Sequence, residues 1–399
     1  MTAADWGLLQ PVTAGTPDAP GDDDVLAAMV RVEAALLRAW VAEDGGGDDD
    51  AARVLEQPAT PQRLDRDALV AGVARDGAPV VALVEQLRAL LDEHGAAAGR
   101  LHAGATSQDV LDTALMVVAR ESFARLRVSL VATGRALATL ADAERAAPRL
   151  AHTLGRAAAP TTLGAQAAVW LDGVSSAVAA VDAVHLPVQL GGAVGTGEQA
   201  DREAGRAGTA ASLRASVAAG LGLEDPGRSW HTDRTPVLGV ATAAATASLA
   251  LGRIGRDLLA GARDGVDEIG LAGSGTSSAM PHKRNAVGPV AMCAAAVQAP
   301  GLLSTVARAA VAVDERPAGE WHAEWRALLD LLRLGCGSAG TADRTARTLA
   351  VHREAALRNL RAAGLPEPDA VTLVACGRAV DDALARFERV VRRSDGGPR

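Results

Sequence analysis

Apolar residues recur at spacings of three and four along much of the chain, which is the pattern of an amphipathic helix. The first such stretch has Asp24 as its expected cap. Its apolar positions are Val25, Met29, Val32, Leu36 and Trp40. The spacing returns from Leu111 to Leu140, and a third apolar stretch runs from about Val237 to Ile269. Alternating strand patterns are nearly absent, so the sequence predicts an all-α fold around a bundle of long helices.

Composition and charge narrow the class of protein. The formal net charge of −8 argues against a broad basic surface, so no nucleic-acid partner is expected. The three cysteines, Cys293, Cys336 and Cys376, lack metal-ligand spacing and indicate a reducing compartment. The first fifteen residues lack the features of a signal peptide, and no apolar run approaches the length of a membrane span. We therefore expect a cytoplasmic protein with no membrane partner.

The segment 101–113 places two hydroxyls, Thr106 and Ser107, where a helix is predicted to begin. Hydroxyls and free backbone N–H groups at a helix N-terminus form an anion site, although an ordinary N-cap accounts for the same residues equally well. His102 lies five residues before the predicted cap and can reach the same place. Taken alone, a histidine there is more often structural.

The segment 273–289 contains the only lysine of the chain, Lys283, close to Ser277 and Ser278. A serine is a poor base in water, and it becomes effective only where loop N–H groups and a cation stabilise its alkoxide. Lys283 can be that cation. The alternative is a flexible surface loop with a solvated lysine.

Two further segments contain polar groups near predicted helix ends. His152 precedes Pro160, where a helix is predicted to start, and it can serve as a general acid or base or be an ordinary surface histidine. In the segment 314–329, two tryptophans lie beside a histidine and a carboxylate. Packing of the tryptophans against a neighbouring helix explains this pattern as well as a role in a functional site does. Its notable residues are Trp321, His322, Glu324 and Trp325. No segment has the ligand pattern of a metal site, so no metal and no cofactor are expected.

Three segments resemble, in order, the signature blocks of the fumarase/aspartase superfamily. They are HAGATSQDVLDTA (102–114), APTTLG (159–164) and SSAMPHKRN (277–285). The chain is most similar to the 3-carboxy-cis,cis-muconate cycloisomerase branch, because Leu154 stands where adenylosuccinate and argininosuccinate lyases have histidine. The resemblance implies a three-domain helical fold that assembles into a homotetramer with shared active sites. The expected parts are an N-terminal domain (1–101), a central long-helix bundle (102–345) and a shortened C-terminal segment (346–399).

The resemblance also implies a reaction and its residues. Members of the superfamily add or remove a group next to a carboxylate through a carbanion stabilised as an aci-carboxylate. Ser277 matches the serine that handles the proton, while Lys283 and Asn285 match residues that hold the substrate carboxylate and the serine oxyanion. Thr106 and Ser107 match a hydroxyl pair that binds another carboxylate of a small polycarboxylate substrate. The other predicted substrate-binding residues are His102, Ser278, Met280 and Arg284, with His152 as an assisting catalytic residue.

Several positions in these blocks depart from the family pattern. They are Ala103, His152, Arg156, Thr276 and Ala286. Beside the interconversion of 3-carboxy-cis,cis-muconate and 4-carboxymuconolactone, in protocatechuate breakdown, two alternatives therefore stay open. One is another lyase of the superfamily that acts on a substituted succinate or aspartate. The other is an inactive paralogue with a structural role.

Overall fold

The computed structural model of the chain describes residues 8–14, 16, 19–47, 49–271, 275–276 and 278–394. Helices dominate these residues, as the sequence predicts, and the strands are short. The helices are α1 (Asp22–Glu43), α2 (Asp50–Leu55), α3 (Thr60–Arg63), α4 (Arg66–Asp76), α5 (Val80–Glu93), α6 (Ser107–Ala143), α7 (Leu163–Asp182), α8 (Glu198–Ala204), α9 (Thr209–Leu221), α10 (Thr235–Gly261), α11 (Val287–Ala309), α12 (Glu320–Thr348), α13 (Arg353–Ala362) and α14 (Ala370–Ser394). The strands are β1 (Pro148–Thr153), β2 (Arg156–Thr162), β3 (Ile269–Leu271), β4 (Gly275–Thr276), β5 (Arg284–Asn285) and β6 (Leu349–Val351).

Five long helices, α6, α7, α10, α11 and α12, pack side by side as the central bundle. Small residues let their backbones approach closely, as an alanine-rich sequence allows. A Cβ built on Gly164 of α7 would lie 2.5 Å from the Cα of Arg145, and one on Gly252 of α10 would lie 2.1 Å from the Cβ of Ala296. Neither contact leaves room for a side chain.

A buried ion-pair cluster joins three helices of the bundle at one end. The guanidinium of Arg234 donates to both oxygens of Asp112, at 2.7 and 3.0 Å, and also to Glu324. The indole N–H of Trp321 donates to the same Asp112 at 2.9 Å. Trp321 and Glu324 therefore hold α12 against α6 and the start of α10, which confirms the packing interpretation of that segment.

The N-terminal helix α1 packs on α6 and α9 and follows the predicted apolar face, except at its start. Gly21 is the N-cap, so the prediction of Asp24 as the cap is wrong. Asp24 lies one turn inside the helix, and its carboxylate accepts a hydrogen bond from the Gly21 N–H at 2.7 Å. An acidic residue at this position suits the positive end of the helix dipole.

Two predictions about helix boundaries are also wrong. The residues around Pro160 form strand β2, which pairs antiparallel with β1, so α7 begins only at Leu163. The long helix predicted to end near Ile269 ends at Gly261, and Ile269 lies in β3, paired with Val351 of β6. In both cases strand pairing overrides local propensity. Strands β1 and β2 form a local hairpin around Leu154 and Gly155, whereas β3 pairs with β6, a segment distant in sequence.

After the bundle, two helices cover its outer side. α13 contacts β1, and α14 runs along α7 and α6. Arg386 of α14 forms an ion pair with Asp172 at 2.7 Å, and the ring of Phe387 packs against Gly134.

Two helices, α10 and α11, reach the length and mean hydropathy of a membrane span, contrary to the expectation that no apolar segment does. The apolar window of α10 is 61% buried inside the chain, as suits a core helix of a bundle. The window of α11 is only 28% buried. Its exposed apolar residues include Val287, Val290 and Val297. In this chain, α11 therefore presents an apolar face to solvent.

Candidate functional site

Thr106, the first predicted anion-binding residue, is the N-cap of the 37-residue helix α6. The buried carboxylate of Asp109 accepts hydrogen bonds from the Thr106 N–H at 3.0 Å and from the N–H groups of Gly191 and Gly192 at 2.9 Å. It also lies 2.8 Å from Nε2 of His231. One carboxylate thus ties two loops to the start of α6. The Thr106 side chain therefore stands on a fixed backbone.

Arg316 shares this end of the helix, and sequence reasoning did not single it out. Its guanidinium donates to the Thr106 Oγ1 at 2.8 Å and to the Gln108 Oε1 at 3.1 Å. Ser107, half-buried, is the first helical residue. A guanidinium, two hydroxyls and a helix N-terminus suit a carboxylate. The only available signal for Arg316 was its place in the polar segment before Trp321.

His102 lies in the turn before α6 with a positive φ of 61°. Its Nδ1 is 2.7 Å from Oε1 of Glu33, a fully buried residue of α1. Burial by itself lowers the pKa of His102, but the hydrogen bond and the charge of Glu33 outweigh it, so the pKa is raised. His102, Thr106 and Ser107 thus lie at the same end of the bundle.

His152 lies at the opposite end, on the hairpin of β1 and β2. Its side chain is exposed and lines a cavity of about 590 Å³. Arg149 lines the same cavity, with a side chain 19% exposed and a nearest carboxylate, that of Glu268, 3.5 Å away. This burial lowers the pKa of Arg149. Sequence reasoning missed Arg149, because one arginine among 39 carries no local signal.

The segment 272–286 around Lys283, here called the lysine loop, is exposed from Ser278 to Arg284. Strands β4 and β5 pair Gly275 with Asn285, and the Lys283 N–H donates to the Met280 carbonyl at 2.9 Å. The predicted binding residues Ser278, Met280, Lys283 and Arg284 are all exposed, and Asn285 is half-buried. Ser277, the predicted catalytic serine, lies outside the described residues.

The predicted site residues fall into two groups far apart within one chain. Helix α6 separates them: Thr106 caps its first turn, and the hairpin with His152 follows its last. At 1.5 Å per residue, 37 residues span about 55 Å. The start of α10 lies near the start of α6, because Arg234, just before α10, binds Asp112. The other end of α10 lies at the hairpin, because Gly261 lines the same cavity as His152, and the lysine loop follows this end. The loop therefore leaves the bundle from the hairpin end.

Metal ligation finds no support in the described part of the chain. Among those residues, no three His, Cys, Asp or Glu side chains group closely enough to hold an ion. The groups that can hold a substrate are instead guanidinium, imidazole, ammonium and hydroxyl groups, which suit anions.

Comparison with known proteins identifies the family of the chain, and the relatives found are named for two different reactions. Residues 49–301 match the family model described as Lyase. The chain is 41% identical over 370 residues to a nitrosuccinate lyase of Streptomyces davaonensis, covering 90% of this chain and 78% of that protein. It is 34% identical over 382 residues to a 3-carboxy-cis,cis-muconate cycloisomerase of Pseudomonas aeruginosa, covering 92% and 81%. The crystal structure of 3-carboxy-cis,cis-muconate lactonizing enzyme from Pseudomonas putida superposes with a TM-score of 0.79 at 30% identity, covering 94% of this chain and 84% of that one.

Proposed function

Because the chain belongs to the lyase family of the fumarase/aspartase superfamily, we propose that it eliminates a stable anion from a small polycarboxylate. The observation that carries this proposal is Leu154. It stands at the tip of the β1–β2 hairpin, with φ of 52° and a fully exposed side chain, where related lyases have a histidine. A hydrocarbon cannot protonate a leaving amine, alcohol or thiol. A leaving group that departs as a stable anion needs no acid at this position, which is the class of leaving group that Leu154 favours.

Nitrosuccinate is the substrate that we favour. Removal of a proton from C3 and of nitrite from C2 leaves fumarate, and atoms and charge balance. Nitrous acid is a much stronger acid than an ammonium ion, an alcohol or a thiol, so nitrite can leave as an anion without a proton donor, in keeping with Leu154. The relative with 41% identity supports this substrate over the cycloisomerase substrate, for which the identity is 34%.

We assign the roles as follows. Ser277 takes the C3 proton, and Lys283 stabilises the serine oxyanion. The carbanion is held as an aci-carboxylate, whose extra negative charge needs donors in fixed positions. Thr106, Ser107 and Arg316 bind the other carboxylate. Arg149, at the hairpin end, supplies a further guanidinium.

Cycloisomerisation of 3-carboxy-cis,cis-muconate is the second candidate, supported by the lactonizing enzyme with a TM-score of 0.79. In that reaction a substrate carboxylate adds to the double bond, and Ser277 delivers a proton to the resulting carbanion. The nucleophile belongs to the substrate, so binding removes most of the entropic cost of attack. No general acid is needed here either, which is why Leu154 alone does not separate the two reactions.

A complete site needs more than one copy of the chain, because Thr106 and the hairpin stand about 55 Å apart. The exposed apolar face of α11 suits burial against another copy, in agreement with a homotetramer. We place this assembly in the cytoplasm, where the three free cysteines stay reduced.

The test supplies each substrate separately to the purified enzyme. Nitrite release and fumarate formation report the first reaction, and loss of the conjugated diene absorbance reports the second. Ser277→Ala and Lys283→Ala are run beside the wild type to locate the chemistry on the loop. Turnover of 3-carboxy-cis,cis-muconate without nitrite release would select the second candidate. Failure with both, and with aspartate-derived substrates, would contradict the enzyme proposal and leave the inactive paralogue.

A further inference from the structure

The carboxylate of Glu33 is fully buried, and the function proposed above gives it no role. It lies on α1, and one of its oxygens, Oε1, is 2.7 Å from His102 Nδ1. The other oxygen, Oε2, has no hydrogen-bond partner among the described residues. A buried carboxylate is costly unless a partner compensates it. Within its surroundings, His102 is the group that does so.

Helix α1 holds the turn of His102 at two points. Glu33 binds the imidazole, and the indole N–H of Trp40, two helical turns further on, donates to the Ala103 carbonyl at 3.0 Å. Arg100 stacks over the Trp40 ring at 4.2 Å. These contacts hold His102 in its left-handed conformation, with φ of 61°, which costs a non-glycine residue free energy. Such strain persists only where the surroundings impose it.

The charges around His102 come from three helices. Glu33 on α1 and Asp109 on α6 favour the protonated imidazole, whereas Arg88 on α5 disfavours it. Burial also disfavours it, yet the balance raises the pKa of His102. Within the described residues, Nε2 of His102 makes no hydrogen bond, and 20% of the side chain is exposed. A protonated ring bound to Glu33 through Nδ1 has an N–H at Nε2 available to donate.

We propose that Glu33 is a positioning residue that holds His102 as an imidazolium, with its Nε2–H donating to a substrate carboxylate beside Thr106. The proposal rests on the function above in that the substrate is a polycarboxylate. Glu33 does not touch the substrate. It fixes the charge and the ring orientation of the residue that does, and it explains why a carboxylate is buried between apolar residues of α1.

The first experiment follows the imidazole resonances of the eight histidines by NMR as the pH is varied. The spectrum of His102→Gln assigns the resonance of His102. In the wild type we expect His102 to titrate above its usual value of about 6.5. In Glu33→Gln we expect His102 to titrate at a lower pH. In the matched control Glu121→Gln we expect its titration to be the same as in the wild type. Glu121, on α6, forms an ion pair at 2.6 Å with Arg31, which lies on α1 as Glu33 does, but Glu121 has no contact with His102.

The second experiment measures KM and kcat against pH with the substrate that the enzyme turns over. At a pH of about 8, Glu33→Gln should raise KM about 10- to 100-fold, the range expected for losing a charged hydrogen bond, with kcat little changed. At a pH of about 5.5 its KM should approach that of the wild type, because His102 is then protonated without help. A merely structural role would not produce this pH dependence.

The outcomes separate this proposal from the proposed function. If neither substrate is turned over, the NMR titration and the binding of succinate by calorimetry still test the Glu33–His102 pair. An identical titration of His102 in the wild type and in Glu33→Gln would overturn the proposal, as would an unchanged KM profile. If Glu33→Gln does not fold, the titration of His102 in the wild type is the test. A His102 that titrates at or below a pH of about 6.5 in the wild type contradicts the proposal.

Discussion

Mixing two inactive variants should restore activity, because the site that we propose takes its segments from different copies of the chain. Ser107→Asp places a carboxylate where a substrate carboxylate binds, and an acidic residue at the first helical position favours the helix. Lys283→Ala removes the ammonium from an exposed loop, so neither variant should fail to fold. Each should lose about 100-fold in activity, the effect of losing or opposing a charged contact.

The magnitude of the recovery follows from the geometry. Residues 106–107 and the hairpin end, from which the lysine loop leaves, are about 55 Å apart in one chain, so the proposed site takes them from different copies. In a random equal mixture each segment is intact in half of the copies. About a quarter of the sites then have both segments intact, and about a quarter of the wild-type activity should return.

The assay uses the two variants with different affinity tags, co-expressed and purified through both tags. Sedimentation of the product establishes its oligomeric state before activity is measured. Mixed oligomers of Ser107→Asp with His102→Gln serve as a control and should show no more activity than the two variants show alone, since both changes affect the same segment. Mixed oligomers of Ser107→Asp with Lys283→Ala that gain no activity, or a monomer with full activity, would refute the reasoning.

Three further predictions concern single residues. Burial raises the pKa of Glu324 to about 7 despite its contact with Arg234, so the wild type should lose about 3 kcal/mol of stability as the pH rises from about 4.5 through 7. Glu324→Gln should remove most of that pH dependence in urea unfolding, and an equal loss of stability at pH 5 and 8 would contradict this. Gly164→Ala should lower the free energy of unfolding by about 1–3 kcal/mol, measured by thermal unfolding, because the added methyl group overpacks against backbone atoms. Gly173→Ala on the same helix meets only an ordinary contact at 3.7 Å, so this control should be neutral or stabilising. Arg149→Met should raise KM about tenfold or more, while Arg202→Met on the exposed face of α8 should leave KM unchanged.

Much of the fold was predictable from local pattern. The apolar spacing from Val25 to Trp40 identified α1, and the run from Leu111 to Leu140 lies within α6. Helix periodicity is a property of neighbouring residues, so it can be read without knowing what the helix packs against. The hairpin around Pro160 could not be read in this way. Its strands, PRLAHT and RAAAPTT, lack the alternation of apolar and polar residues that marks a half-buried strand, and most of β2 is exposed.

The sequence by itself determined the candidate chemistry: the lone Lys283, the hydroxyls at 106 and 107, and the histidine at 102 are visible as residue types at helix ends and in a glycine-flanked loop. It did not determine their partners. Glu33 is 69 residues from His102, and Arg316 is 210 residues from Thr106, yet each is in hydrogen-bond contact. Tertiary structure also decided that the predicted site residues lie at two ends of the bundle, because a helix of 37 residues places its ends about 55 Å apart. The site that we propose therefore takes them from different copies of the chain.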